Sequence, residues 1–126
     1  MTKSLEDYIE TIYLLIRDSR CARVRDVAAR LKVKMPSVVK AIAELKKQQL
    51  VDQEPYGDIG LTAKGKRCAM QILCRHTLLK EFLEKLGVAP RTADKDACLM
   101  EHILSAETVD KIRDFVRKPA KQQKGK

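Results

Sequence analysis

Apolar residues recur at intervals of three and four near the start of the chain. Leu5, Tyr8, Ile9, Ile12, Leu15 and Ile16 form one stripe over residues 4–18, the period of a helix that packs one side on a core, with Ser4 placed to cap it. Residues 24–31 (VRDVAARL) predict a short second helix. After the KVKM break, Pro36 opens a third over PSVVKAIAELKKQQL, with Val39, Ile42, Ala43 and Leu45 able to face inward. Three short helices joined by tight breaks predict a helix-turn-helix. LVDQEPYGDIGLT then sets two β-prone runs around Pro55, Tyr56 and Gly57, a hairpin that would be a wing.

From Thr62, a good N-cap residue, a long helix is expected to about Leu86, where Gly87 and Pro90 end it. Two further helical segments follow, about 92–104 and 106–117, parted near Ser105. These helices are too few to close a core of their own, which predicts packing against a second copy. The expected fold is therefore mainly α. It has an N-terminal winged helix-turn-helix with a small β-hairpin wing (residues 1–64), a C-terminal helical dimerisation region (65–118) and a basic disordered tail (119–126).

Composition narrows the partners. A chain of 126 residues excludes a large multidomain enzyme, and 44% hydrophobic with 34% charged residues is enough to fold. The net charge of +9 attracts polyanions, nucleic acid first among them. RKPAKQQKGK alone carries five basic residues and no acidic one, so the charge of the reading head matters more than the total. Between Arg20 and Lys47 nine Lys or Arg stand against Asp26 and Glu44. No apolar run approaches the roughly 18 residues of a spanning helix, and MTKSLEDYIE does not read as a signal peptide. A soluble, cytoplasmic protein with no membrane partner is expected. Cys21, Cys68, Cys74 and Cys98 form no CxxC pair, which argues against a zinc knuckle or a disulfide framework.

In a winged helix the third helix enters the major groove, and the second helix and wing meet phosphates. Ser37, Val39 and Lys40 are the expected first-turn contacts; Lys40 could donate to guanine, and Val39 could pack on a thymine methyl. Arg25, Lys34, Pro36, Lys46 and Tyr56 complete the candidate DNA-binding set.

A polar constellation lies elsewhere. Asp7 and Glu10 sit opposite the apolar stripe of the first helix, joined there by Leu14. Taken alone they are solvated carboxylates, although Leu14 hints at a cover. Cys98, Glu101 and His102 have the spacing C-x-x-E-H, which turns a thiolate, a carboxylate and an imidazole toward one volume, as helical bundles present metal ligands. His76 lies within the stripe of Ile72, Leu73, Leu79 and Leu83, where a packed core histidine and a ligand are both open readings. The chain carries no HExxH, nucleophile elbow or glycine-rich phosphate loop, so no enzyme is expected.

Six segments carry a resemblance: LEDYIETIY, VRDVAARL, PSVVKAIAEL, LTAKGKR, RHTLLKEFLEKLGV and DACLMEHILS. Along nearly all of residues 4–117 the chain resembles the diphtheria toxin repressor and manganese transport regulator family, in its short form without an SH3-like domain. The resemblance implies a metal-dependent transcriptional repressor that binds operator DNA as a homodimer, with a metal site between its two regions. It implies Asp7, Glu10, His76, Cys98, Glu101 and His102 as metal ligands. Asp7 and Glu10 match manganese-type members, Cys98 the thiol of iron-type members, and Glu101 and His102 the pair shared by both. Oxygen and sulfur donors then meet in a hybrid site for Fe(II) or Mn(II), with Fe(II) the better compromise and no organic cofactor. Lys80 and Asp94 depart from the iron-type second site, while a two-ion manganese-type cluster sharing Glu10 or Glu101 stays open. The rival expectation is a metal-independent winged-helix regulator that senses a small apolar ligand or thiol oxidation. A nucleoid-binding architectural protein is a third.

Overall fold

The computed structural model describes residues 1–54 and 57–118; Tyr56 and the basic tail, 119–126, lie outside the described residues. Helix α1 (Lys3–Ser19) turns Tyr8, Ile9, Thr11, Ile12 and Leu15 inward. Its cap is Thr2 rather than Ser4: Leu5 N–H donates to Thr2 Oγ1 at 3.2 Å, and Ser4 falls inside the first turn. Arg20 ends α1 in the left-handed region (φ 69°), its N–H donating to the Ile16 carbonyl. Helix α2 spans Val24–Leu31 and α3 spans Met35–Lys47, with Pro36 in the first turn where its missing N–H costs nothing. The core side of α3 is Val38, Ala41, Ile42 and Leu45. Val39 (56% exposed) and Ala43 face solvent instead of the core, because each sits one helical step beyond a residue of that stripe.

Strands β1 (Val51–Gln53) and β2 (Ile59–Leu61) pair antiparallel, Val51 opposite Leu61 and Gln53 opposite Ile59. The hairpin is fastened to the start of α2: Ile59 N–H donates to the Ala22 carbonyl at 2.7 Å, and Arg23 Nε donates to Asp58 Oδ1 at 3.0 Å. Helix α4 (Ala63–Lys85) is capped by Thr62, whose Oγ1 accepts from Gly65 N–H at 3.0 Å. A Cβ on Gly65 would lie 1.8 Å from the Leu50 carbonyl oxygen, so only glycine lets α4 start this close to the strand. Ile9, Ile12, Val27, Val38, Leu45 and Ile59 are the fully buried centre of a core that also takes in Ala69 and Ile72. Residues 1–72 form the first compact unit.

The second unit begins at Leu73 and holds the end of α4, α5 (Pro90–Met100) and α6 (Ala106–Arg117). Gly87 (φ 102°) stops α4, with Val88 N–H returning to the Leu83 carbonyl at 3.0 Å, a left-handed cap that favours glycine. Helix α5 ends at Met100, earlier than the expected 104. His102 and Ile103 continue in a tighter turn, donating to the carbonyls of Leu99 and Met100, before Ser105 caps α6. Leu79, Ala93, Ala97, Val109 and Val116 are buried, and Phe82 meets Phe115 edge to face at 5.8 Å. Leu86, Leu99 and Ile103 stay exposed. No helix among the described residues is long and apolar enough to cross a membrane.

Candidate metal centre and nucleic-acid interface

Within the second unit, three elements converge. The later part of α4 carries Arg75 and His76, α5 carries Asp94 and Cys98, and the turn after α5 carries Glu101 and His102. Helix α5 turns Ala93 and Ala97 inward, both fully buried. Asp94, Cys98 and Glu101 follow at steps of four and three, one stripe beside those alanines.

A ring nitrogen of His76, the Cys98 sulfur and a carboxylate oxygen of Glu101 all lie within 4.8 Å of one another. Ligands about 2.0–2.3 Å from a shared ion stand roughly 3–4.5 Å apart, so a small contraction suits the set to a cation. His76 Nδ1 is 3.1 Å from Glu101 Oε1, and Nε2 is 2.9 Å from Asp94 Oδ1. The hydrogen bond to Glu101 above all, aided by that to Asp94, holds the His76 imidazolium up to about 9 against the opposing effect of burial. The Glu101 side chain is wholly buried, and its Oε2 has no hydrogen-bond partner. A buried carboxylate with one oxygen unsatisfied is costly, and a bound cation relieves that cost. The donor chemistry therefore fits a divalent metal.

Arg75 secures the backbone of this corner. Its Nη1 donates to the Glu101 carbonyl at 2.8 Å, satisfying an acceptor that the end of α5 leaves without a helical partner. The His102 side chain is fully buried, with Nε2 3.9 Å from Glu101 Oε1, although His102 is not in the three-donor group. Lys80 pairs with Glu84 along α4 at 3.3 Å. Asp7 and Glu10 belong to the first unit; both are half-buried on α1, and Lys3 bonds Asp7 at 3.1 Å. Leu14 beside them is half-buried as well.

From the sequence, Asp94 reads only as a departure from a pattern, and Arg75 has no role. The signal for Asp94 was present: it stands four residues before Cys98 and seven before Glu101, on the same helix face. For Arg75 no spacing announces a bond to a distant carbonyl.

The candidate DNA face lies on the first unit. Arg25, Lys34, Pro36, Ser37, Val39, Lys40 and Lys46 are all exposed. Lys34 is the N-cap residue of α3, so the first helical turn after it carries Pro36, Ser37 and Val38, of which only Val38 points into the core. Tyr56 lies outside the described residues.

A winged helix joined to a helical segment that gathers metal donors defines a metal-responsive DNA-binding protein. Residues 1–59 match the family model of the iron-dependent repressor N-terminal DNA-binding domain. Residues 62–126 match that of the iron-dependent repressor metal-binding and dimerisation domain. The chain is 40% identical over 116 residues to the HTH-type transcriptional regulator MntR of Geobacillus kaustophilus, covering 92% of this chain and 82% of that protein. Against MntR of Oceanobacillus iheyensis the identity is 44% over 115 residues, covering 91% and 78%. A manganese-dependent transcriptional repressor solved with manganese superposes with a TM-score of 0.80 at 28% identity, over 90% of this chain and 53% of the other. The chain belongs to the iron-dependent repressor family and is a metal-dependent transcriptional repressor.

Proposed function

We propose that this repressor answers to Fe(II), with Mn(II) as the competing ion, and that its metal ligands are His76, Cys98, Glu101 and His102 together with Asp7 and Glu10. The observation that carries the reading is the approach of His76, Cys98 and Glu101 to within 4.8 Å around a buried carboxylate with an unsatisfied oxygen. A thiolate beside carboxylate and imidazole favours Fe(II) over Mn(II), because sulfur is the softer donor. The ion, when bound, supplies charge that offsets the buried carboxylate and a fixed coordination that orders its ligands.

Asp7 and Glu10 enter through the resemblance. Their place on α1, the helix that backs the DNA-reading unit, makes their ordering a route from ligand to reading head. The head, taken as residues 1–64, reads operator DNA through Ser37, Val39 and Lys40. Arg25, Lys34 and Lys46 meet phosphates, each contact steepening the salt dependence by about 0.9 in log–log slope. Residues 65–118 supply the other four ligands and bind a second copy of the chain. In such a homodimer the two recognition helices must stand about 34 Å apart, or a multiple of that, to meet successive major grooves. Restricting their swing raises operator affinity.

The test is operator binding titrated with Fe(II) and Mn(II), without oxygen, for the native chain, Glu101→Gln and His102→Ala. Both variants are expected to fold and to lose the stimulation by metal. Retained stimulation in either would overturn the assigned site, and equal operator affinity in chelator and in Fe(II) would favour the metal-independent regulator.

A further inference from the structure

His76 is gripped from both ends of its ring. Nδ1 faces Glu101 at 3.1 Å and Nε2 faces Asp94 at 2.9 Å. The two ring nitrogens diverge, so one ion cannot take both, and the sides differ. Glu101 is wholly buried, has an unsatisfied oxygen and shares its place with the Cys98 sulfur. Asp94 is 61% exposed and belongs to no three-donor group among the described residues. The chemistry of an ion site is on the Nδ1 side, and that of a hydrogen-bond acceptor is on the other.

A neutral imidazole carries its proton on either nitrogen, and only the bare one can donate a lone pair to a metal. Both nitrogens here face an acceptor, and once an ion engages the Glu101 side, the acceptor on the far nitrogen holds the remaining proton. We propose that Asp94 is a positioning carboxylate for the metal centre: it keeps the His76 proton on Nε2, so that Nδ1 presents its lone pair toward Glu101 and Cys98. Helix α5 is what makes this work. Asp94 and Cys98 stand one helical turn apart on it, so the element that supplies the sulfur also sets the histidine beside it. Carboxylate–histidine–metal arrangements of this kind are worth about 10–100-fold in affinity.

The proposal rests on the metal centre proposed above, and Glu101→Gln serves as the control that tests that centre separately. Metal affinity is measured by competition with a chromogenic chelator, using Zn(II) as a diamagnetic probe, for the native chain, Asp94→Ala, Asp94→Asn and Glu101→Gln. Nitrogen-15 spectra of the histidines are recorded on the zinc-loaded proteins. The expected result is a native His76 with its proton on Nε2, an affinity about 10–100-fold lower in Asp94→Ala, and recovery of most of that loss in Asp94→Asn, whose amide oxygen still accepts from Nε2–H. Native affinity in Asp94→Ala would overturn the proposal. So would a loss in Asp94→Asn equal to that in Asp94→Ala, the mark of a direct ligand, or a native His76 protonated on Nδ1. If Glu101→Gln bound zinc as the native chain does, the centre itself would fail, whatever Asp94 does.

Discussion

The two units solve the burial problem in opposite ways. The first closes a core from its own residues: Ile9, Ile12, Val27, Val38 and Leu45 are essentially inaccessible to solvent, and its candidate contact residues are the side chains left outside. The second buries few large apolar groups, leaves Leu86, Leu99 and Ile103 in water, and encloses the carboxylate of Glu101. A region that hides a charge and shows its leucines is built to be completed by something else. The enclosed carboxylate suits a cation, and exposed apolar side chains are what a region matching a dimerisation domain is expected to offer a second copy.

That contrast can be broken most forcefully in the first unit. Ile12→Ala or Leu45→Ala removes a fully buried side chain from a self-contained core and is expected to cost about 2–5 kcal/mol, measured by urea unfolding; a cost below 1 kcal/mol would mean that this core is not self-sufficient.

Next come the exposed apolar side chains of the second unit. Ile103→Asp should leave stability within about 0.5 kcal/mol when the protein is monomeric, yet weaken self-association by about 2 kcal/mol or more. Sedimentation equilibrium checks this, and an undiminished dimer would place the interface elsewhere.

A pH prediction sharpens the account of the enclosed charge. His76, faced by Glu101 and Asp94 with Cys98 and Arg75 nearby, titrates near 9 when folded, against an ordinary 6.5. The raised value means that its protonated form stabilises the fold. That stabilisation is complete below pH 6.5 and is lost as pH rises through 9. Thermal unfolding in excess chelator should therefore fall across this window, and Asp94→Ala should flatten the decline.

The smallest effect is expected at Gln49, which holds φ 62° after α3 with a side chain that disfavours it. Gln49→Gly should stabilise the first unit by about 0.5–1 kcal/mol, seen as a higher urea midpoint.

Legibility in the sequence followed the range of the interactions. Helices α2, α4 and α6 and the hairpin could be located from the chain because caps, prolines, glycines and apolar spacing act over one or two turns. The C-x-x-E-H spacing likewise puts Cys98 and Glu101 on one side of a helical turn, since a turn fixes i and i+3, and their donor atoms do lie within 4.8 Å of each other. Even local rules misplaced details, as when Thr2 rather than Ser4 capped α1 and when α5 stopped before Glu101.

His76 remained undecided between core and ligand, because its meaning depends on α5 folding back across the Gly87 turn. Asp94 was visible and unread for the same reason, and so was Arg75, whose partner is a backbone carbonyl 26 residues away. The chain by itself determined the helices and the wing, products of short-range backbone chemistry, and the basic head and the stock of candidate metal donors, which are composition. Only the tertiary structure decided which nitrogen of His76 faces which carboxylate and that Glu101 is enclosed. Burial and orientation are properties of neighbours brought together from distant parts of the chain, and no local pattern encodes them.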